Sequence, residues 1–563
     1  MLPNIKRWQI APVISTDAQL ELDTFHPVLQ QILTNRGYTD RLSALAFLEA
    51  KPVFDTDPFQ IGGVPQAVER IQFAIRHHEP VAVYGDYDAD GVTATALLNQ
   101  VLRNLGADVR GYIPNRFDEG YGLNSEALET LYQSGVRLVI SVDCGIRSPE
   151  EARYARSRSL DLIISDHHHP GPEIPDALAV INPKMPGDEY PEKNLAGVGL
   201  AYKLASALVM QINPRIADSC LDLVALGTVA DMVPVLGENR SLVRRGLEII
   251  RQPVRQGLAA LIGVSGLQSA NITASDIGYV LGPRLNAAGR LDTALSSLNL
   301  LLTQDPFEAG QLAQLLELQN RERQQITQQI QLDAEQQALT SDPEPLLMFA
   351  SSPHYNAGVV GLAASRLTEK YYRPSIVAFT GEEYTRGSCR SIPEFHITQA
   401  LDQCADLLDH HGGHAAAAGF TIRNELVPEL LSRLKSIAEQ TLVRAELQPT
   451  LKADIEISLS ELKPELLKYL DWLQPTGIGN PQAYFVSRNL TVRSSRPVGR
   501  DNSHLKLAVT DGLITYDAIA FRQGHWIDHL PNRIDILYAF ETNQYNGRTF
   551  LQLNIRDIKP SNS

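Results

Sequence analysis

Three aspartates occupy alternate positions in Gly85-Asp86-Tyr87-Asp88-Ala89-Asp90-Gly91, directly after the apolar run Val81-Ala82-Val83-Tyr84. Alternate residues of an extended chain point the same way, so this segment can aim several carboxylate oxygens into one space. Left unpaired, the charges repel one another, and a divalent cation relieves that repulsion. An EF-hand is set aside because it needs a helix on either side, whereas a strand precedes here. Alone, the cluster reads first as a solvated acidic turn. Three more groups change that reading: Asp143 in Ser141-Val142-Asp143-Cys144-Gly145, the run Asp166-His167-His168-His169-Pro170, and Asp231 in Ala230-Asp231-Met232-Val233-Pro234. Singly, Asp143 reads as a helix cap, Asp231 as a turn residue and a histidine as a core or surface residue. Jointly, carboxylates and imidazoles at three or four such positions read as a metal site.

Oxygen and imidazole donors without thiolate favour Mn²⁺ or Mg²⁺ over structural Zn²⁺. Six or seven potential ligands are too many for one ion with open positions. Two ions sharing a bridging carboxylate fit better, and such a pair clamps the attacking and leaving oxygens of an in-line phosphoryl displacement. The chemistry suggested is hydrolysis of a phosphodiester or a phosphoanhydride.

The elements that must position these groups are legible as a rhythm. Val81 to Tyr84, Val109 to Ile113, Leu138 to Val142, Leu162 to Ser165 and Leu178 to Ile181 read as strands, alternating with helical patterns such as Thr93 to Leu105 and Ser125 to Gln133. That predicts a mostly parallel, doubly wound α/β sheet, whose ligands bind beyond the carboxyl ends of the strands. Residues 196 to 300 read as mainly helical. A Gln-, Glu-, Leu- and Ala-rich segment at 306 to 339 predicts one long connecting helix, broken by Ser341-Asp342-Pro343-Glu344-Pro345 before a second α/β region. From 450 onward short strand-like stretches (Ala483 to Val486, Leu505 to Val509, Tyr516 to Phe521, Ile534 to Phe540, Thr549 to Ile555) predict a small β-barrel. The division expected is a helical and extended lead-in at 1–75, a catalytic domain at 76–304, the connecting helix at 305–341, a second α/β domain at 342–447 and the barrel at 448–563.

Composition excludes several classes. Cysteines occur only at 144, 220, 389 and 404, with no C-x-x-C spacing, which removes a disulfide scaffold and a thiolate zinc site. The first thirty residues lack the apolar stretch of a signal peptide and no run of about eighteen apolar residues occurs, so a cytoplasmic protein without membrane contact is expected. The formal charge of −15 argues against binding nucleic acid through bulk positive charge. The acid is unevenly placed, however: residues 450–563 hold 13 Lys+Arg against 12 Asp+Glu.

With Asp86 to Gly91, Asp143 and Asp166-His167-His168 in that order, the chain resembles the DHH phosphoesterase superfamily. Three further stretches narrow the resemblance to the RecJ family of single-strand-specific 5′ exonucleases: Arg116-Phe117-Asp118-Glu119-Gly120-Tyr121-Gly122, Gly282-Pro283-Arg284-Leu285-Asn286-Ala287-Ala288-Gly289-Arg290-Leu291, and Gly412-Gly413-His414-Ala415-Ala416-Ala417-Ala418-Gly419-Phe420. The resemblance implies metal ligation by Asp88, Asp90, Asp143, His167 and Asp231, with Asp86 and His168 in or beside the ligand set and Asp143, His167 and His168 catalytic. Asp166 would orient an imidazole from behind. Tyr84 stands where many relatives carry a histidine ligand, a place that Asp86 could fill. Arg116, Arg284 and Arg290, with Asn286, become candidates for holding the 5′ phosphate and backbone, because the planar guanidinium fork suits phosphate oxygens. In the second α/β region Ser388, Arg390, Gly413 and His414 match the substrate-binding motifs of the DHH-associated domain. The barrel resembles an OB-fold, with Arg488, Arg493, Arg496 and Arg500 and the rings of Tyr484, Phe485, Tyr516 and Phe521 as candidate contacts for unpaired bases.

The function implied is a two-metal 5′→3′ exonuclease that turns single-stranded DNA into 5′ mononucleotides in repair and recombination. It is expected to be a monomer working beside a helicase and a single-strand binding protein, with a channel too narrow for duplex between its two α/β lobes. Two alternatives stand beside it: a DHH phosphodiesterase of short RNA oligonucleotides or cyclic dinucleotides, and an inactive replication scaffold.

Overall fold

In the computed structural model, which describes residues 6–116, 118–120, 122–499, 501–545 and 548–561, the apolar runs of the first half pair as expected. Val81–Gly85 lies between Val109–Tyr112 and Leu138–Val142, followed outward by Asp161–Ser165 and Ala179–Ile181, all parallel. The strand order reverses between Val81–Gly85 and Leu138–Val142, where an open α/β sheet has its ligand crevice. Asp86 and Asp143 each follow one of these two strands, so the topology alone delivers them to the same crevice. Both strands are buried along their whole length, in keeping with sequences that are apolar but for Ser141 and Gly85. Helices Ala89–Asn104 and Gly197–Val209 pack beside them, Leu221–Ala230 packs on those two helices, and a π-helical turn at Ile277–Leu281 runs directly into the helix Gly282–Leu291.

The described chain divides into two compact units, 8–316 with 452–561, and 317–451 with Lys6 and Arg7. The expected long helix is present as Pro306–Ser341, 36 residues running from the first unit into the second. The second unit carries a five-stranded sheet in the order His410–Gly413, Ala417–Arg423, Tyr384–Arg390, Ser375–Thr380, Met348–Ser352, with only the last pair parallel.

The C-terminal strands Phe485–Val498, His504–Thr510, Thr515–Ala520, Arg548–Pro560 and Arg533–Tyr545 close into a barrel through pairing of the first with the last. The opening strand runs twelve residues beyond the expected Ala483 to Val486. Register shifts at Ser487/Leu490 and Val492/Ser494 let it bend and serve two partners. Within the expected lead-in at 1–75 the described helices pack in two directions. Leu22, Leu29, Ile32, Leu33 and Phe47 share a core with Leu459, Phe485, Ile534 and Tyr538 of the barrel region, whereas Val64, Ala67, Ile71 and Ala74 pack on the parallel sheet. All four cysteines are buried and unpaired. Among the described residues no helix is long and apolar enough to cross a membrane.

Candidate metal centre

The alternating aspartates converge by a different route from the one their spacing suggests. The strand ends at Gly85, and Asp88 caps the helix Ala89–Asn104, its Oδ1 accepting the N–H groups of Asp90 at 2.9 Å and Gly91 at 3.1 Å. An aspartate at a helix N-terminus satisfies otherwise orphaned donors and faces the positive end of the dipole. The helix therefore starts at Ala89 rather than near Thr93, and Asp90 projects from its first turn instead of from extended chain. Asp90 is in turn bonded to a second helix, Oδ2 accepting from Gly197 at 2.7 Å and Oδ1 from Val198 at 2.8 Å.

Asp143 follows its strand in the left-handed region, φ +63°, and is 2% exposed. A non-glycine residue held there stores strain of the order of 1 kcal/mol or more and persists only where its surroundings demand it. Asp166 accepts the Ile146 N–H at 2.9 Å, and the His168 N–H at 3.0 Å and Nδ1 at 2.7 Å. Burial opposes ionisation of Asp166, but the hydrogen bonds from His168 override it and hold the carboxyl below its usual range. For His168 the same contact overcomes burial and raises its pKa. His167 behaves oppositely: burial first, then the neighbouring His168, drive its pKa down to about 3, so the ring is neutral. Its Nε2 approaches Asp143 Oδ1 at 3.1 Å and Asp231 Oδ2 at 3.5 Å. With a neutral imidazole these approaches are not ion pairs.

Three overlapping groups emerge, each with ligand atoms within 4.8 Å of one another: Asp86, Asp88 and Asp143; Asp143, His167 and His168; Asp90, His167 and Asp231. All seven residues anticipated as metal ligands fall in them. Asp86 Oδ1, Asp143 Oδ1, Asp231 Oδ2 and both nitrogens of His167 are buried with no hydrogen-bond partner. Burial, followed by the neighbouring aspartates, pushes the carboxyls of Asp86, Asp90 and Asp143 well above the ordinary range and that of Asp231 up to about 7. Orphaned acceptors that cannot all ionise together are what a bound divalent cation resolves, and the donor set fits Mn²⁺ or Mg²⁺.

The neighbouring candidates divide. Arg116 lies over the Tyr87 ring at 5.0 Å, and its charge and that of Arg290 both reach Tyr87. Asn286, expected to touch substrate, has its side-chain oxygen occupied by the Ala89 N–H at 2.7 Å, where it braces the turn that carries Asp88. Arg284 donates to the Val280 carbonyl at 2.7 Å. Tyr84 turns its hydroxyl to the Gly122 carbonyl at 3.0 Å and Asn124 at 3.1 Å, while Asp86 joins the ligand groups. Phe117 and Tyr121 of the Arg116 motif lie outside the described residues.

In the second unit Arg390 donates to the Cys389 carbonyl at 2.8 Å and to Ser388 Oγ at 3.4 Å, beside the first turn of the helix Val360–Tyr371. A Cβ on Gly361 in that turn would stand 2.8 Å from Ser388 Oγ and 3.2 Å from Arg390 Nη2. Gly413, at φ +147°, leads into a tight turn in which the His414 N–H donates to the Ala417 carbonyl at 2.7 Å, and the His414 side chain is exposed. In the barrel Arg488 is held by Glu456 at 2.9 Å and Asp535 at 3.2 Å, so it is committed to the fold. Arg493 and Arg496 are exposed, and Arg500 lies outside the described residues. Phe485 and Tyr516 are core residues and Tyr484 is half-buried; of these four rings Phe521 is exposed, edge-on to His504.

Sequence reasoning missed Gly197 and Gly227. A Cβ on Gly197 would stand 2.7 Å from Asp143 Cβ and 2.8 Å from its Oδ1, and one on Gly227 would stand 2.8 Å from Asp90 Oδ1. For Gly227 the available signal was a glycine inside an apolar helical run, which costs stability unless something must come close; Gly197, at the first position of its helix, gave no such signal. Gly197→Ala is expected to displace Asp143 and lower hydrolysis about a hundredfold, the scale of loss from a roughly 1 Å misplacement at a reacting centre. Steady-state rates of phosphodiester hydrolysis, with a melting curve to show that the variant folds, check this.

Family models match three regions: the DHH family N-terminal domain at 80–228, the DHHA1 domain at 346–440 and the RecJ OB domain at 453–557. The chain is 38% identical over 567 residues to the single-stranded-DNA-specific exonuclease RecJ of Bacillus subtilis, covering all of this chain and 72% of that protein. Against the RecJ exonuclease of Escherichia coli the identity is 36%, over 89% of this chain and 91% of the relative. The crystal structure of RecJ in complex with Mn²⁺ from Thermus thermophilus superposes with a TM-score of 0.85 at 28% identity, over 99% of this chain and 80% of that one. The Mg²⁺ complex from the same organism gives 0.79 at 27%, over 99% and 79%.

Proposed function

This chain belongs to the RecJ family of single-stranded-DNA-specific exonucleases, and from that premise we propose that it degrades single-stranded DNA from the 5′ end to 5′ mononucleotides using two Mn²⁺ or Mg²⁺ ions. The observation that carries the reading is the convergence of Asp86, Asp88, Asp90, Asp143, His167, His168 and Asp231 into three overlapping groups. When bound, divalent ions supply Lewis-acid polarisation of the phosphodiester and lower the pKa of an attacking water.

The residues then have separable tasks. Asp143 belongs to both the carboxylate group and the imidazole group, which makes it the natural shared ligand. His167, neutral, offers a lone pair. Asp166 fixes a proton on His168 Nδ1, which places that ring's lone pair on Nε2. Arg116 and Arg290, beside Tyr87, hold phosphate oxygens of the strand, and Arg284 is the second choice because Val280 already takes one of its donors. In the second unit Ser388 and Arg390, with Gly413 and His414, bind the strand's phosphates. Arg390 has no acidic partner among the described residues, and burial lowers its pKa, which an anionic ligand would offset. Arg493 and Arg496, with Phe521, supply a secondary hold on single strands from the barrel.

We keep the division 1–75, 76–304, 305–341, 342–447 and 448–563, a cytoplasmic location and a monomeric state as parts of the same proposal. A helicase and a single-strand binding protein are the partners that fit, since an enzyme needing a free single-stranded end depends on strand separation. The test is degradation of 5′-labelled single strand, blunt duplex and short RNA with Mn²⁺, with Mg²⁺ and with chelator. Release of labelled mononucleotide from the single strand alone, lost in chelator, is the expected result. Preference for dinucleotides over a long strand would replace the reading with a short-oligonucleotide phosphodiesterase.

A further inference from the structure

Asp231 ends the helix Leu221–Ala230, and the next helix begins at Gly237. The intervening segment is held from outside the catalytic sheet. The Val235 N–H donates to the Ile478 carbonyl at 2.8 Å, in the loop 472–480 that precedes the barrel. A Cβ on Gly477 would stand 2.7 Å from Val235 Cγ2, and one on Gly479 would stand 3.0 Å from Leu236 Cδ1. Asn239 donates to the Pro234 carbonyl at 3.1 Å and the Asn194 carbonyl at 2.6 Å.

One turn into the helix, Arg240 is 1% exposed and sits over the Phe47 ring at 4.1 Å. Its five N–H donors meet five main-chain carbonyls: Phe47 at 2.8 Å, Leu473 at 3.0 Å, Pro475 at 2.8 Å, Trp472 at 3.1 Å and Gln474 at 2.8 Å. Asn480 closes the loop by donating to the Leu473 carbonyl at 2.8 Å and the Pro475 carbonyl at 2.7 Å. Among the described residues no carboxylate pairs with Arg240. A buried guanidinium without an acid is expensive, and an apolar side chain of similar volume would fill the space at lower cost. What an apolar residue cannot do is fix five carbonyls of two chain segments in one plane.

We propose that Arg240 and the loop 472–480 are positioning elements of the metal centre: through Val235 and the start of the helix Gly237–Ile250 they hold the backbone that sets the Asp231 carboxylate. The residues leading into the barrel are thus part of the support of the catalytic site as well as a tether for the nucleic-acid-binding domain. The inference rests on Asp231 being a metal ligand.

The test compares full-length Gly477→Ala, Arg240→Lys, Arg240→Met and Asp231→Ala with the parent. Mn²⁺ binding is measured by calorimetry, and the Mn²⁺ half-saturation of hydrolysis on a short single strand that does not need the barrel. Gly477→Ala, which presses on Val235 without touching the site, is expected to weaken Mn²⁺ binding about tenfold, within the range seen for residues that orient ligands. Arg240→Lys, keeping three donors, should recover part of what Arg240→Met loses, and if Arg240→Met does not fold the other two variants decide. Folded Gly477→Ala and Arg240→Lys proteins with parental Mn²⁺ affinity would overturn the proposal. If Asp231→Ala also binds Mn²⁺ like the parent, it is the assignment of Asp231 that fails. If only Asp231→Ala is weakened, the assignment stands and the support role falls.

Discussion

Asp143→Ala is expected to leave a folded protein that hydrolyses single-stranded DNA at least about a thousandfold more slowly, the upper range for removing one preorganised charge-stabilising group from a reacting centre. Asp143 belongs to two of the three ligand groups and lies 3.1 Å from the His167 imidazole, so its loss empties the centre rather than one edge of it. The fold should survive. The carboxyl is buried, its pKa is pushed up by burial and then by Asp90 and Asp88, and its removal relieves repulsion in the metal-free protein. The variant is therefore expected to melt at or above the parental temperature in chelator while losing the stabilisation that Mn²⁺ gives the parent. Activity within about tenfold of the parent in Mn²⁺ would remove Asp143 from the mechanism.

The second large effect is a reversal of the pH dependence of stability by metal. In the metal-free protein Asp86, Asp90 and Asp143 have carboxyls well above the ordinary range and Asp231 lies near 7, burial being the leading cause in each. Groups that bind protons more tightly in the folded state contribute stability that is complete below the unfolded pKa and is lost as pH rises through the folded one. His168, also raised, acts in the same direction. His167 and Asp166, both lowered, act oppositely, but only below about pH 6.5, the unperturbed histidine value. Between about pH 6.5 and 7.5, through the Asp231 value near 7, the metal-free protein should therefore lose stability, at no more than about 1.4 kcal/mol per pH unit from that group, with Asp86, Asp90 and Asp143 acting in the same direction.

Divalent metal requires deprotonated ligands, so its affinity rises over the same window. At roughly a hundredfold excess over Kd it adds about 2.7 kcal/mol. Melting temperatures at the two pH values, with chelator and with Mn²⁺, should move in opposite directions. Asp231→Asn should flatten the metal-free trend. A metal-free melting temperature that climbs across this window would contradict the burial and crowding of these carboxyls.

The packing of the chain's two ends bears on how the barrel can be studied. Leu22, Leu29, Ile32 and Leu33 are buried against the barrel region, so deleting residues 450–563 would expose an apolar face of the N-terminal helices as well as removing a domain. Substitution of Arg493 and Arg496, which are exposed, separates binding from folding more cleanly than truncation.

The amino-acid sequence by itself determined the chemistry of the centre. Aspartates and histidines just beyond apolar strands, in a βα rhythm, must arrive at the carboxyl edge of one sheet, because parallel strands joined by right-handed crossovers leave no other place for them. Asp86, Asp88, Asp143 and His167 were legible for that reason, and Asp231, which ends a helix, was legible instead as a lone carboxylate in an apolar stretch. Only the tertiary structure decided how those residues are supported. Asp90 bonds a helix more than a hundred residues later, Gly197 touches Asp143, Asn286 braces the turn after Asp88, and Arg240 ties the segment beyond Asp231 to the loop before the barrel. The N-terminal helices join the barrel core in the same way. A residue's donor type and local conformation are set by its neighbours along the chain. A contact across two hundred residues depends on which surfaces pack, and a glycine that makes room for it carries no side chain to announce it.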